Sequence, residues 1–582
     1  MMLSTGLLRL SGNVRARLQL CRRRRGIGLA SAAKTRVFML PHTILFLVTT
    51  CAFSTMAQQK PASHSPDLSL TVIGRQHHTI DSKSKDAQAY FDQGLTFIYG
   101  FNHEEAQHAF QRAAELDPAS PMPLWGIALA VGPNYNADVD AEREKLAFDS
   151  IQKARVLSAH APAVEQDYVQ ALAARFSGEP KPDYPQLARN YAAAMKALWQ
   201  KYPDDPDAAT FYAESLMDLN PWKLWSHDGQ PAENTLEIVR ILESVLARDP
   251  DHAGANHFYI HAVEASPNPE RALPSARRLD TMVPQAGHLV HMPAHIYIRT
   301  GDYAAAVKSN EEAAKVDTVY ARKADQEGSM YDLMYHSHNE HFLAAVACME
   351  GNYAVAKAAA DAMATRLMPH AKTMPMLDLF IITPFWVDVR FRQWDAILAQ
   401  PEPVKELTAT HVMWRYARTQ AFTARGEKEK AAAEYELFVK EVAVIPADAR
   451  MGEFNSSKDL LSLASQILDA RIAMARGSKD QAVSHWQKAV EMQDALRYDE
   501  PPDWYYPVRE SLGAALLTVG KTTDAEQVFR EDLKRNPRNP RSLFGLMHSL
   551  QAQHKDADAA WVESQFKTAW KNADTTLDIS AL

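Results

Sequence analysis

Four histidines at fixed intervals constrain the fold of this chain more than any other feature. His257 and His291 are 34 residues apart, and so are His261 and His295. Within each pair the separation of four puts both imidazoles on one face of a helix. Gly301-Asp302-Tyr303 recurs as Gly351-Asn352-Tyr353, 50 residues on, and the same offset carries His288 to His338 and His291 to His341. A period of 34 fits a two-helix unit stacked on copies of itself. Such a chain lengthens by adding units and does not enlarge a single core, so its 582 residues do not by themselves imply several globular domains.

Other stretches carry the same unit. Between Lys85 and Pro118, Gly94, Phe97, Ala106, Phe110, Ala113 and Pro118 stand where small residues let two antiparallel helices touch, aromatics fill the adjoining turn and proline closes the unit. Tyr506 to Asn539 repeats the pattern with Gly513, Gly520, Ala525, Phe529 and Pro537. The pattern resembles tetratricopeptide repeats. That resemblance implies an all-α chain, an α-α superhelix of about ten or eleven helix-turn-helix units over 86–575. Histidine-rich units are expected at 253–370 and a short tail at 576–582. The run from His288 to Tyr297 (HLVHMPAHIY) and the string from Asn256 to Ser266 (NHFYIHAVEAS) resemble exported bacterial tetratricopeptide proteins with histidine-rich central repeats. The resemblance implies a superhelical binding scaffold and brings no activity with it.

Residues 1–57 read as a leader. Arginines and lysine precede an apolar stretch from Thr43 to Phe53, too short to span a bilayer, and Thr55-Met56-Ala57 supplies small residues for cleavage. Met39 is an alternative start. The expectation is an exported, periplasmic or extracellular protein without a stable membrane span after cleavage; lipid anchoring at Cys51 and a mitochondrial presequence are the alternatives. A flexible linker is expected over 58–85. The leader holds 9 of the 63 basic residues and none of the 71 acidic ones, which leaves 54 against 71 and a net charge of −17 beyond it. Nucleic acid is not expected as a partner. Cys348 is then the one cysteine outside the leader, so stability must come from helix packing and not from disulfides.

The histidines suggest metal chemistry. His257, His261, His291, His295 and His341 are the candidate ligands, on a helical stripe distinct from the small-residue stripe that packs against the second helix of each unit. In tetratricopeptide proteins that stripe lines the concave groove, so the resemblance implies that His288, His338, Glu264, Asn310 and Asn339 also face a shared cavity. Trp222 and Trp225, on an insertion, are expected to close over it. Neutral imidazoles suit zinc, copper or another transition metal; haem with two axial histidines uses the same residues. Unless its helix starts near Val290, Pro293 is expected to break the ladder between His291 and His295 and spoil their spacing. Repeat copying of one hydrogen-bonded structural histidine explains the same pattern without a metal.

Phosphate-binding glycine loops, G-x-S-x-G elbows and Cys-x-x-Cys pairs are missing. The primary expectation is therefore a non-enzymatic scaffold that binds a protein, peptide or small ligand in its groove. The alternatives are a hydrolase-like metalloenzyme with Glu264 as base, and a haem-binding protein.

Overall fold

The computed structural model describes residues 76–446, 449–452 and 454–582; the expected leader and most of the expected linker lie outside the described residues. Among the described residues the chain is helical from Lys85–Tyr99 to Asp556–Ala569, and each helix packs against the next in chain order. No strand interrupts the series; isolated bridges close small loops, as between Trp225 and Pro231. The expected all-α superhelix of paired helices is what the chain forms.

Glycine and phenylalanine set the pitch of the stack in one recurring way. Phe110, on the second helix of its unit, is fully buried. Its ring fills the space where a Cβ on Gly94 would come within 2.7 Å and one on Gly126 within 2.4 Å. Phe529 stands in the same relation to Gly513 and Gly545, at 2.3 and 2.1 Å. In both copies the absent side chains let one aromatic ring reach the first helices of two successive units, joining neighbours without a void.

The unit containing the second pair of histidines is built differently. Its first helix is split into Gly287–His291 and Pro293–Thr300. Proline lacks the N–H that would continue the ladder, but it suits the first position of a helical segment. Met292 keeps right-handed helical angles, so the axis carries on across the break. The expected loss of spacing does not occur: the His291 and His295 rings stay 4.6 Å apart, against 4.9 Å for His257 and His261 on an unbroken helix.

Both ends of the described chain are held against the helices. Gln76–Ser84, read as linker, is tied down. The His78 backbone N–H donates to Asp92 (3.0 Å) and its imidazole meets Asp207 at 2.8 Å. The tail is docked as well, with Arg541 donating to the Ala581 carbonyl (3.0 Å) and Leu582 buried.

The late helices return to the histidine units. Tyr303 donates its hydroxyl to the Pro537 carbonyl (3.1 Å), and a Cβ on Gly301 would lie 2.1 Å from that same oxygen. Arg299 lies over the Tyr498 ring, and Phe454 packs on Trp222 at 5.2 Å. These contacts bring residues of the late helices and loops against the histidine units.

Candidate metal centre

Three helices bring six histidines into one buried cluster. Ala253–Val263 supplies His257 and His261, the split helix supplies His288, His291 and His295, and Ser337–Glu350 supplies His338. Their ligand atoms form two sets, His257/His261/His288 and His291/His295/His338, each with its atoms within 4.8 Å of one another. The sets are copies made by the repeat: an i, i+4 pair from one unit and a third histidine from the first helix of the next.

Hydrogen bonds fix which nitrogen each ring offers. His257 Nδ1 lies 2.6 Å from the Tyr99 carbonyl, which only accepts, so that nitrogen carries the proton. His261 Nδ1 and His295 Nδ1 lie 2.8 and 2.5 Å from the two oxygens of Glu264. His291 Nδ1 meets Asn310 Oδ1 at 2.6 Å, and the Asn310 amide N–H is held by the Ala306 carbonyl at 2.8 Å, which sets the orientation of the amide. All four rings therefore present the Nε2 lone pair, with the opposite nitrogen anchored as in metal-bound histidines.

The facing nitrogens are spaced like ligands. His257 Nε2 and His288 Nε2 are 3.2 Å apart, and His291 Nε2 and His338 Nε2 are 3.1 Å apart. Two ligands about 2.1 Å from one tetrahedral metal stand roughly 3.4 Å apart. His261 Nε2 and His295 Nε2 are buried and have no hydrogen-bond partner, as does His288 Nδ1. Buried polar atoms of this kind are open to a bound water or ion.

Electrostatics favour the form a metal needs. Burial, reinforced by neighbouring imidazoles, pushes His257, His288, His291 and His338 well below the usual histidine range. Burial also lowers His295. Burial thus favours the neutral form of these five rings, the form a metal needs. Burial works to raise the Glu264 carboxyl, but His295 and His261 outweigh it and hold it at about 2, an ionised acceptor.

Local packing places these rings. Gly254 makes room for Tyr99, whose ring would lie 2.3 Å from a Cβ there, so that the Tyr99 carbonyl reaches His257. Phe101, with a positive φ of 57°, packs its ring 4.5 Å from His257 and 5.3 Å from His288. The loop 132–140 contributes Tyr135 and Asn136. The Trp222 backbone N–H donates to the Tyr135 hydroxyl (3.1 Å) and its indole N–H to Asn136 Oδ1 (3.2 Å), while Asn136 donates to the Tyr335 hydroxyl (3.1 Å). Trp222 meets His261 edge-on at 5.6 Å, and Trp225 donates to the Ala262 carbonyl at 2.8 Å.

Several expected residues stand elsewhere. His341 belongs to neither set: its ring meets Phe380 edge-on at 5.6 Å and lines a separate pocket with Trp386 and Trp504. The 50-residue offset carries His288 to His338, which completes the second set, but His341 has no histidine four residues on and meets Phe380 instead. Asn339 gives its amide to Asp317 at 2.6 Å and so braces the helices. Asn310 orients a ligand. Glu264, with both oxygens taken by imidazole N–H groups, is placed as the outer partner of both sets and not as a base. It also belongs to a third convergent set with His261 and His295, which uses their other nitrogens; its 2.8 and 2.5 Å separations are those of charge-assisted hydrogen bonds. A haem needs a flat slot between opposed imidazoles, whereas these rings contact one another directly. Sequence reasoning missed Phe101, Tyr135 and Asn136, which lie on turns outside the repeat pattern, and Tyr99, which acts through its backbone.

The tetratricopeptide repeat family model matches residues 87–120. No curated protein matches the chain by sequence. Similar solved structures include the human IFIT1 dimer with PPP-AAAA, at 12% identity over 85% of this chain and 92% of that one with a TM-score of 0.29. Yeast Tom70 is similar at 13% identity over 83% and 100% with a TM-score of 0.31. The P58(IPK) TPR domain is similar at 10% identity over 81% and 99% with a TM-score of 0.21. The chain thus carries a tetratricopeptide repeat at the start of its described helices and continues as paired helices to its last one.

Proposed function

We propose that this protein is an exported superhelical scaffold that holds two transition-metal ions, one in each three-histidine set. The observation that carries the reading is the pair of buried, unpartnered Nε2 atoms on His261 and His295, each on a ring whose Nδ1 is bound by Glu264. An imidazole-only donor set selects copper, zinc or a similar ion over magnesium and calcium. At these units His288, His338, Glu264, Asn310 and Trp222 serve the metal centre, and the scaffold binds a protein, peptide or small ligand elsewhere along its groove.

A second reading, a metal-dependent enzyme, is favoured by the ligand count. Three protein ligands leave a coordination position open, as catalytic sites do and closed structural sites do not.

The test is metal analysis of protein purified without a histidine tag, before and after incubation with zinc or copper. The reading expects about two ions per chain and a clear rise in Tm, since a ligand at a thousand times its Kd adds about 4 kcal/mol. His288→Ala and His338→Ala should each lose one ion. Failure to retain any ion, together with an unchanged Tm, would remove the proposal.

A further inference from the structure

We infer that a pocket between the late units takes a small organic acid, its carboxylate held by arginine and glutamine side chains and its apolar body by aromatic walls. This rests on the scaffold reading above and deepens it by naming a place and a class of small ligand; it is independent of the metal ions.

The pocket encloses about 340 Å³, near the lower end for ligand sites. Arg390 ends the helix Thr383–Arg390, with Arg392 just beyond it, while Gln420 stands on Thr408–Ala424 and Arg471 on Ser457–Ala475. Tyr505 and Tyr506 lead into Val508–Thr518 and form another wall. The Arg392 side chain is 36% exposed and Trp394 is half-buried, so the pocket opens to solvent there.

Charge is the first ground. Arg390 pairs with the buried Glu510 through both terminal nitrogens, at 2.5 and 3.0 Å. Arg392 reaches the exposed Asp578 at 3.8 Å. Two further guanidiniums have no carboxylate partner among the described residues. Arg471 donates to the Ser511 hydroxyl (3.5 Å) and lies over the Trp486 ring. Arg541, behind the pocket, donates to the carbonyls of Ala581 (3.0 Å) and Arg390 (3.4 Å). Burial, with Arg390 alongside, lowers Arg541 to about 9. Buried cations without a counter-charge are costly, and a bound anion removes that cost.

Unmet hydrogen bonds are the second ground. Gln420 is 2% exposed and its Nε2 has no partner; the Nε atoms of Arg390, Arg471 and Arg541 are buried and unpartnered as well. All four are N–H donors, so what they want is an acceptor. The tail touches the pocket without meeting them: Ser580 takes Arg392 at 3.0 Å, and Ala581 takes a terminal nitrogen of Arg541.

The walls are the third ground. Val389, Trp394, Tyr505 and Leu582 are apolar or aromatic, and Tyr505 is held by stacking on Trp386 at 4.5 Å. They suit a ring or short hydrocarbon and give a bare inorganic anion nothing. The planar fork of a guanidinium matches a carboxylate.

Calorimetric titration of the full chain with benzoate is the test, with benzamide and inorganic phosphate as the neutral and the inorganic arms. One benzoate per chain is expected, with benzamide weaker by about tenfold or more because it lacks the charge, and phosphate weaker than benzoate. Gln420→Glu supplies the missing carboxylate from the chain itself. It should raise Tm above the parent's and weaken benzoate by about tenfold or more, a pair of effects that a damaged fold does not give. Arg471→Gln should weaken benzoate as much, with circular dichroism confirming its fold. Absence of benzoate binding, equal binding of benzamide, tighter binding of phosphate, or a lower Tm in Gln420→Glu overturns the inference. Metal content measured on the same samples keeps the two readings apart: a chain that holds its ions and ignores benzoate loses this inference alone, and one that binds benzoate but no ion loses the metal reading alone.

Discussion

His261 and His295, one repeat apart in sequence, give their Nδ1 protons to opposite oxygens of one carboxylate, Glu264. That single side chain therefore orients one ligand of each three-histidine set, and a change to it is felt by both. Glu264→Gln keeps one acceptor oxygen and turns a donor toward the other ring, which must then change tautomer and give up its Nε2 lone pair. Metal affinity should fall about 10- to 100-fold at one set and less at the other. Competition with a coloured chelator should resolve two unequal sites where the parent shows two similar ones, and two unchanged sites would count against the outer role of Glu264.

Gly254 lets Tyr99 stand over the first histidine helix. Gly254→Ala places a methyl group about where the Tyr99 ring sits, and overpacking of this kind costs about 1–3 kcal/mol. The variant should melt lower and bind less metal at the His257 set, because the Tyr99 carbonyl is pushed off His257. Adding Tyr99→Ala should not lower the Tm by the sum of the two separate effects, since both act on one contact. Simple additivity would show that the contact is not where the strain lies.

Phe110→Ala and Phe529→Ala each empty a slot between two glycines, and neither glycine can fill it. Loss of a buried phenylalanine costs about 3–5 kcal/mol. Each change should destabilise its own end of the stack, visible as faster amide exchange in neighbouring helices, while the metal centre keeps its occupancy. Loss of metal in the Phe529 variant would contradict that separation.

The Glu500 carboxyl should make the metal-free protein less stable as pH rises. Burial lifts it from 4.5 to about 8 in the folded chain. Below about 4.5 both states are protonated and the contribution is fully present. Between the two values the unfolded chain ionises while the folded one does not, so stability falls until the folded group ionises near 8. Glu500→Gln removes this slope. Its urea midpoint should vary less across that window than the parent's and exceed it at the alkaline end; parallel curves would contradict the assignment.

The 34-residue period was enough to place His257, His261, His291 and His295 on neighbouring helices, because a repeat fixes backbone and side-chain direction together. It also placed Gly94 with Phe110 and Gly513 with Phe529. His341 shows where that logic stops: it follows His291 by the same offset of 50 that links His288 to His338, yet it joins neither set and its ring meets Phe380. Pro293 shows the opposite, a local rule overridden because the helix can restart at proline with its axis preserved. The docking of Tyr498 and Phe454 near the histidine units was not legible. It depends on how far the superhelix turns before its late units meet its middle ones, a sum of small rotations that no single residue encodes.

Anomalous diffraction from crystals of the metal-loaded protein tests the centre most directly. Two peaks are expected, one within bonding distance of Nε2 of His257 and His261 together with His288, the other of Nε2 of His291 and His295 together with His338. A lone peak beside Nδ1 of His261 and His295 against Glu264, or none in the cluster, would contradict the account.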